Sequence, residues 1–226
     1  MDDAAKQATG IGGLRPGVRI ALATFAMPVA FGTILFASAG RLDWLAGWLY
    51  LAIMAANTAA SYAYIDRNNP ELMAKRARLG KGTKTWDIIW LAAFSPLSVA
   101  IYVVAALDGG RYGWSEMALL YSWPIGCAVF FAGGLVIAWS MGGNPFFEKT
   151  VRIQRECGHR VIDSGPYRYV RHPGYVGFIG WFVSAPLLLG SWWAFIPAGL
   201  SIIALIIRTA LEDRTLSEEL PGCVSN

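Results

Sequence analysis

Charge is scarce in this chain of 226 residues: Asp, Glu, Lys and Arg make up 15% of it, where a soluble globular domain carries about 25%. Hydrophobic residues supply 55%, which excludes a disordered tail and an ordinary soluble domain. Cysteine and histidine are nearly missing. Cys127, Cys157 and Cys223 share no CxxC spacing and have only His159 and His172 beside them, which excludes a recognisable metal site, a disulfide framework and thiol redox chemistry. The net charge of +4 does not indicate nucleic acid, because the 19 Lys and Arg lie between long apolar runs rather than along one polar face. Repeats, low-complexity tracts and interdomain linkers are also lacking, so residues 1–226 read as one domain.

What the chain does have is apolar length. A bilayer core roughly 30 Å thick needs about 20 apolar residues per helix. Residues 20–39, 44–65, 88–107 and 117–141 each contain no Asp, Glu, Lys or Arg and predict four full spans. A fifth uncharged run, 174–207, holds 34 residues, too many for one straight crossing and slightly few for two. Gly190 and Ser191 bisect it, which predicts a tight helical hairpin with kinks at Pro186 and Pro197. The fold class is therefore all-α, a polytopic bundle of four spans plus a C-terminal hairpin.

All Lys and Arg except Arg41 and Arg111 fall on one side of this topology. The positive-inside rule makes that side cytoplasmic and places both termini there. Residues 1–17 carry acids and read as a short polar tail rather than a signal or transit peptide. The expected location is an integral membrane one: the inner membrane of a bacterium or the endoplasmic reticulum of a eukaryote.

Dispensable polar residues concentrate in 142–173 and 208–219, both cytoplasmic in this topology. The first stretch ends in GPYRYVRHPGYVG, residues 165–177, whose glycines and prolines imply a fixed turn at the membrane surface. Taken singly, these residues read as a turn with headgroup anchors at Arg168, Arg171 and Tyr175. Taken together, the run resembles the signature of the isoprenylcysteine carboxyl methyltransferase family and its phospholipid methyltransferase relatives, integral membrane enzymes that use S-adenosylmethionine. Asn69, Pro70, Glu71 and Leu72, then Arg76, Gly82, Thr83, Lys84, Trp86 and Asp87, are similar to the loop after the second span in bacterial members. Arg208 with Glu212 and Asp213 is similar to the family's arginine and paired acids after the last apolar run.

The resemblance implies cofactor contacts within 142–222 from Gly165, Pro166, Tyr167, Arg171, His172, Pro173, Tyr175 and Gly177, joined by Glu212 and Asp213. It implies catalytic roles for Arg208 and Glu212. These residue types suit a cationic donor: tyrosines wall an adenine and donate hydroxyls, His172 offers a ring donor and an acceptor, and Arg171 suits a methionyl carboxylate or a lipid phosphate. Arg208 and Glu212 stand four apart, so on a helix they share a face, with Asp213 about 100° round. A plain interfacial salt bridge is the alternative for that pair. For a carboxylate acceptor Arg208 is the natural clamp; for an amine or thiol, Glu212 takes the proton.

The expected partner is a lipophilic acceptor from the bilayer: an isoprenylcysteine carboxylate, another lipid or a small thiol, with no nucleic acid, no metal and no obligate protein partner. A membrane reductase of the sterol-reductase type, using a nicotinamide cofactor, and a non-enzymatic carrier remain as alternatives. The sequence departs from the family after Leu220, Pro221 and Gly222, where Cys223, Val224, Ser225 and Asn226 replace the usual aromatic, basic close. That departure predicts weaker cofactor affinity or an inactive, truncated relative. Cys223 is not a prenylation box, since Ser225 is not aliphatic.

Overall fold

The computed structural model describes residues 16–70, 72, 84–117, 119–147, 150 and 162–219. Over these the chain is all-helical, with six α-helices and no strand. They are α1 (Pro16–Ala39), α2 (Leu45–Asn68), α3 (Thr85–Ala105), α4 (Leu119–Gly143), α5 (Pro173–Leu189) and α6 (Phe195–Glu219). A π-helical turn, Ala106–Tyr112, prolongs α3, and a 3-10 turn, Gly165–Arg168, precedes α5. Residues 1–15 of the tail expected at 1–17, the closing residues 220–226 and most of the polar stretches at 71–83 and 148–161 lie outside the described residues, while residues 16 and 17 of that tail open α1.

Each uncharged run forms one helix or, for the longest, two, because a helix satisfies its own backbone where no water is at hand. Among the described residues, three helical segments are long and apolar enough to cross a membrane: Thr85–Tyr112, Leu119–Gly143 and Phe195–Glu218. Thr24–Ala39 and Pro173–Leu189 are shorter apolar helices. The helix α2 is 24 residues long but falls below that hydropathy, because small and polar residues such as Asn57, Thr58, Ser61 and Asp66 dilute its apolar face.

The 34-residue run breaks where glycine permits it. Gly190 takes a left-handed conformation at φ 73°, and the following Ser191 N–H donates to the Pro186 carbonyl at 3.0 Å, closing α5. Pro186 lies inside α5. Pro197 differs from expectation: it sits in the first turn of α6, where its missing N–H had no helical partner to lose, so nothing in the helix has to bend around it.

The helices α4 and α5 approach most closely. A Cβ on Gly177 would come 2.5 Å from Ile137 Cγ1 and 2.6 Å from the Gly133 carbonyl, so the contact exists only because both residues are glycine. Buried Asn57 of α2 lies against Gly134 of α4. Beyond α2, the Asn69 side-chain amide donates to the carbonyls of Met141 (3.0 Å) and Asn144 (3.1 Å), tying that corner to the end of α4. Ile65, Leu72, Ile137 and Met141 form a small apolar cluster there.

At the other end of the bundle, buried Asp108 gathers three donors. Its carboxylate accepts from the Ser115 N–H at 2.7 Å, the Ser115 hydroxyl at 2.5 Å and the Ser191 hydroxyl at 2.6 Å. The turn between α5 and α6 is thereby bound to the π-helical end of α3. Ser191 in turn accepts from the Ala194 N–H at 3.1 Å, so the turn is braced internally as well.

Candidate active site

The motif at 165–177 becomes a 3-10 turn followed by the first turns of α5. Gly165 starts it at a positive φ of 61°, with the Trp139 indole beside it. Pro166 is buried. Tyr167 points its hydroxyl at the end of α4, accepting from the Asn144 side-chain amide at 3.0 Å and donating to the Ser140 carbonyl at 3.4 Å. Burial pushes the Tyr167 hydroxyl up from its ordinary 10 to about 12; the Asn144 donation opposes the shift, and the nearby Glu212 charge reinforces it.

His172 caps α5, and Pro173 fills its first position, where a missing N–H costs nothing. One turn later Tyr175 stacks its ring on His172 at a centroid distance of 5.4 Å and an interplanar angle of 9°. The two face the last polar turns of α6. His172 Nε2 lies 2.7 Å from Asp213 Oδ1. The Tyr175 hydroxyl donates to Glu212 in a very short hydrogen bond and accepts from Arg208 Nη1 at 2.7 Å. The shared face expected of Arg208 and Glu212 is therefore real, but the two meet at a tyrosine hydroxyl.

Arg208 has a further partner from α3. Its Nε donates to Asp87 Oδ1 at 2.8 Å and its Nη2 to Asp87 Oδ2 at 3.2 Å, a two-pronged ion pair. Asp87 is wholly buried and Arg208 is 7% exposed. Trp90, one helical turn on, lies 4.8 Å from the guanidinium carbon, while its indole N–H donates to the Ala204 carbonyl at 3.0 Å. Asp87 was visible as part of the polar stretch before an apolar run, but nothing in the sequence paired it with an arginine 121 residues away. Trp90 gave no signal apart from being aromatic.

A groove of about 410 Å³ runs from this cluster between α5 and α6. Its polar end is Arg171, His172 and Asp213; its length is lined by Tyr175, Val176, Ile179, Ile206, Thr209 and Ala210. Val176 and Ile206 are both more than half exposed, so the groove opens sideways along the apolar surface. The structure thus brings His172, Tyr175, Arg208, Glu212 and Asp213 together, with Tyr167 held nearby and Arg171 exposed at the rim. Pro166 and Pro173 shape the backbone, and Gly177 lies in the α4–α5 contact rather than on the groove.

The donor set fits S-adenosylmethionine in chemical type. Two carboxylates, Glu212 and Asp213, suit its positive groups; the His172–Tyr175 stack offers a flat wall; Arg171 suits a carboxylate. Among the described residues no group of His, Cys, Asp and Glu has the arrangement of a metal site.

The family model for isoprenylcysteine carboxyl methyltransferase (ICMT) matches residues 125–218, a segment that holds every site residue named except Asp87 and Trp90. The protein-S-isoprenylcysteine O-methyltransferase of Saccharomyces cerevisiae is 30% identical over 97 residues, 42% of this chain and 38% of that protein. That of Dictyostelium discoideum is 23% identical over 143 residues, 62% of this chain and 56% of its own length. The probable enzyme of Oryza sativa subsp. indica is 44% identical over 43 residues, 19% of this chain and 22% of its own. The chain thus matches less than two thirds of the length of each of these relatives. No solved structure matches. Over residues 125–218, with the histidine motif at one end of α5 and the arginine and paired acids on α6, the chain is similar to the isoprenylcysteine carboxyl methyltransferase family.

Proposed function

We propose that the chain is an integral membrane methyltransferase that moves a methyl group from S-adenosylmethionine to a lipophilic acceptor. The observation that carries this reading is the cluster in which Tyr175 joins Arg208 to Glu212 and His172 meets Asp213, with His172, Tyr175 and Asp213 also lining a groove whose walls are apolar and open sideways. The names of the matched relatives favour an S-isoprenylcysteine carboxylate as acceptor and a methyltransferase over a nicotinamide reductase.

S-adenosylmethionine supplies an electrophilic methyl on a sulfonium that leaves as a neutral thioether. The protein's work is to hold the attacking oxygen about 3 to 3.5 Å from that carbon and keep water out. A carboxylate acceptor has no proton to lose: one O–CH3 bond forms as one S–CH3 bond breaks. Glu212 then acts through its charge, and Arg208 is the fixed cation towards which the acceptor carboxylate turns. His172, braced by Asp213, and Tyr175 form the flat wall for the adenine. Arg171 at the rim receives the methionyl carboxylate. Gly165, Pro166, Pro173 and Gly177 contribute by setting the backbone around these side chains.

The wider arrangement we propose is four full spans and a hairpin, with both termini and the site on the cytoplasmic face of the membrane. The near-exclusive placement of Lys and Arg on that side supports it. Transfer of a radiolabelled methyl group to a prenylated cysteine acceptor, measured on membranes carrying the full chain, tests the reading. Wild type should label the acceptor; Glu212→Ala and His172→Ala should each fall by about 100-fold or more, and Tyr175→Phe by about 10-fold, since a lost hydrogen bond of about 1.4 kcal/mol changes a rate by that factor. Equal labelling by all four proteins would overturn the site.

A further inference from the structure

Arg208 and Glu212 are four residues apart on α6, a spacing at which a guanidinium and a carboxylate ordinarily pair with each other. Here the Arg208 fork turns to Asp87 of α3, and the Tyr175 hydroxyl stands between the arginine and the glutamate, accepting from one and donating to the other. Three features hold that orientation. Asp87 engages both Nε and Nη2, Trp90 covers the guanidinium at 4.8 Å, and the Trp90 indole anchors α3 to the α6 backbone at Ala204. Asp87 is fully buried, and its carboxylate lies against the arginine rather than towards the groove.

We infer that Asp87 is a positioning residue for the methyl donor: by engaging Arg208 it prevents the arginine from neutralising Glu212, and so leaves the Glu212 charge for the sulfonium. This inference rests on the methyltransferase reading. It extends the site to the first turn of α3, outside the matched segment 125–218. A neutral residue at position 87 would release the guanidinium towards Glu212, and the cluster would lose its attraction for a cation while keeping its shape. The effect must therefore distinguish S-adenosylmethionine from S-adenosylhomocysteine, which differ by one methyl and one positive charge. A merely structural role would weaken both alike.

Titration calorimetry of the purified full chain in lipid nanodiscs, with each of the two ligands, reads this directly. For Asp87→Asn the expected result is a loss of about tenfold in affinity for S-adenosylmethionine with S-adenosylhomocysteine changed by less than about twofold. Asp87→Glu keeps the charge and should keep the ratio of the two affinities within about twofold of wild type. The double variant Asp87→Asn with Arg208→Gln should regain that ratio, because no guanidinium remains to neutralise Glu212. These two variants carry the test if Asp87→Asn cannot be isolated folded. Equal weakening of both ligands in Asp87→Asn, no weakening of either, or a tenfold change of ratio in Asp87→Glu would overturn the inference while leaving the methyltransferase reading in place. A wild type that binds neither ligand would overturn both.

Discussion

Tyr167 is the titratable group of the motif whose environment has the plainest consequence. Its hydroxyl is held by Asn144 and Ser140 and pushed up to about 12 by burial, so the folded protein keeps it neutral where an unfolded chain would ionise it above 10. A raised value means that the stabilisation is present in full below pH 10 and is lost as pH rises to about 12, at no more than about 1.4 kcal/mol per pH unit. Unfolding midpoints followed in detergent between pH 9 and pH 12 should therefore fall less steeply for Tyr167→Phe than for wild type. Identical slopes would show that the hydroxyl is not withdrawn from water. Much of this local chemistry was legible beforehand, because His172, Tyr175, Glu212 and Asp213 lie in two compact stretches with recognisable order. Asp87 and Trp90 were not legible as site residues, since an ion pair across 121 positions is a product of helix packing, and packing leaves no mark in local spacing.

Among the helices, the α5–α6 pair was readable from arithmetic alone: 34 uncharged residues exceed one crossing, and Gly190 with Ser191 bisects them. The α4–α5 contact was not readable in that way, although its glycines were in plain view. Gly177 stands inside the histidine motif, where a close approach of backbone or of a ligand was expected; the structure gives it to the Gly133 backbone and Ile137, not to the groove. The steric margin is small enough to test. Gly177→Leu should lower stability by about 1 to 3 kcal/mol or more through overpacking, because the opposing atom at 2.6 Å is a backbone carbonyl that cannot swing aside. Its thermal midpoint should drop without a change in which ligand is preferred. An unaltered midpoint would mean that α4 and α5 are not in this contact.

For the bundle entire, the distribution of charge makes a claim about orientation that labelling tests. Arg41 pairs with Asp43 at 2.7 Å in the exposed turn between α1 and α2, while Arg214 sits on the last turns of α6 beside the site. With Cys127, Cys157 and Cys223 replaced by serine, Arg41→Cys should react with an impermeant maleimide on intact cells. Arg214→Cys should react only after permeabilisation. The reverse pattern would place the site on the wrong face for a cytoplasmic methyl donor.

Asp108, at the end of the bundle away from the site, binds both the segment after α3 and the turn joining α5 to α6 through three short bonds to one carboxylate. The opposite ends of α5 and α6 are tied as well, by His172 to Asp213 and by Tyr175 to Glu212, and the slot between Val176 and Ile206 begins beside those ties. Under the proposed function, a long-tailed guest would slide in edgewise from the oily layer and back out the same way.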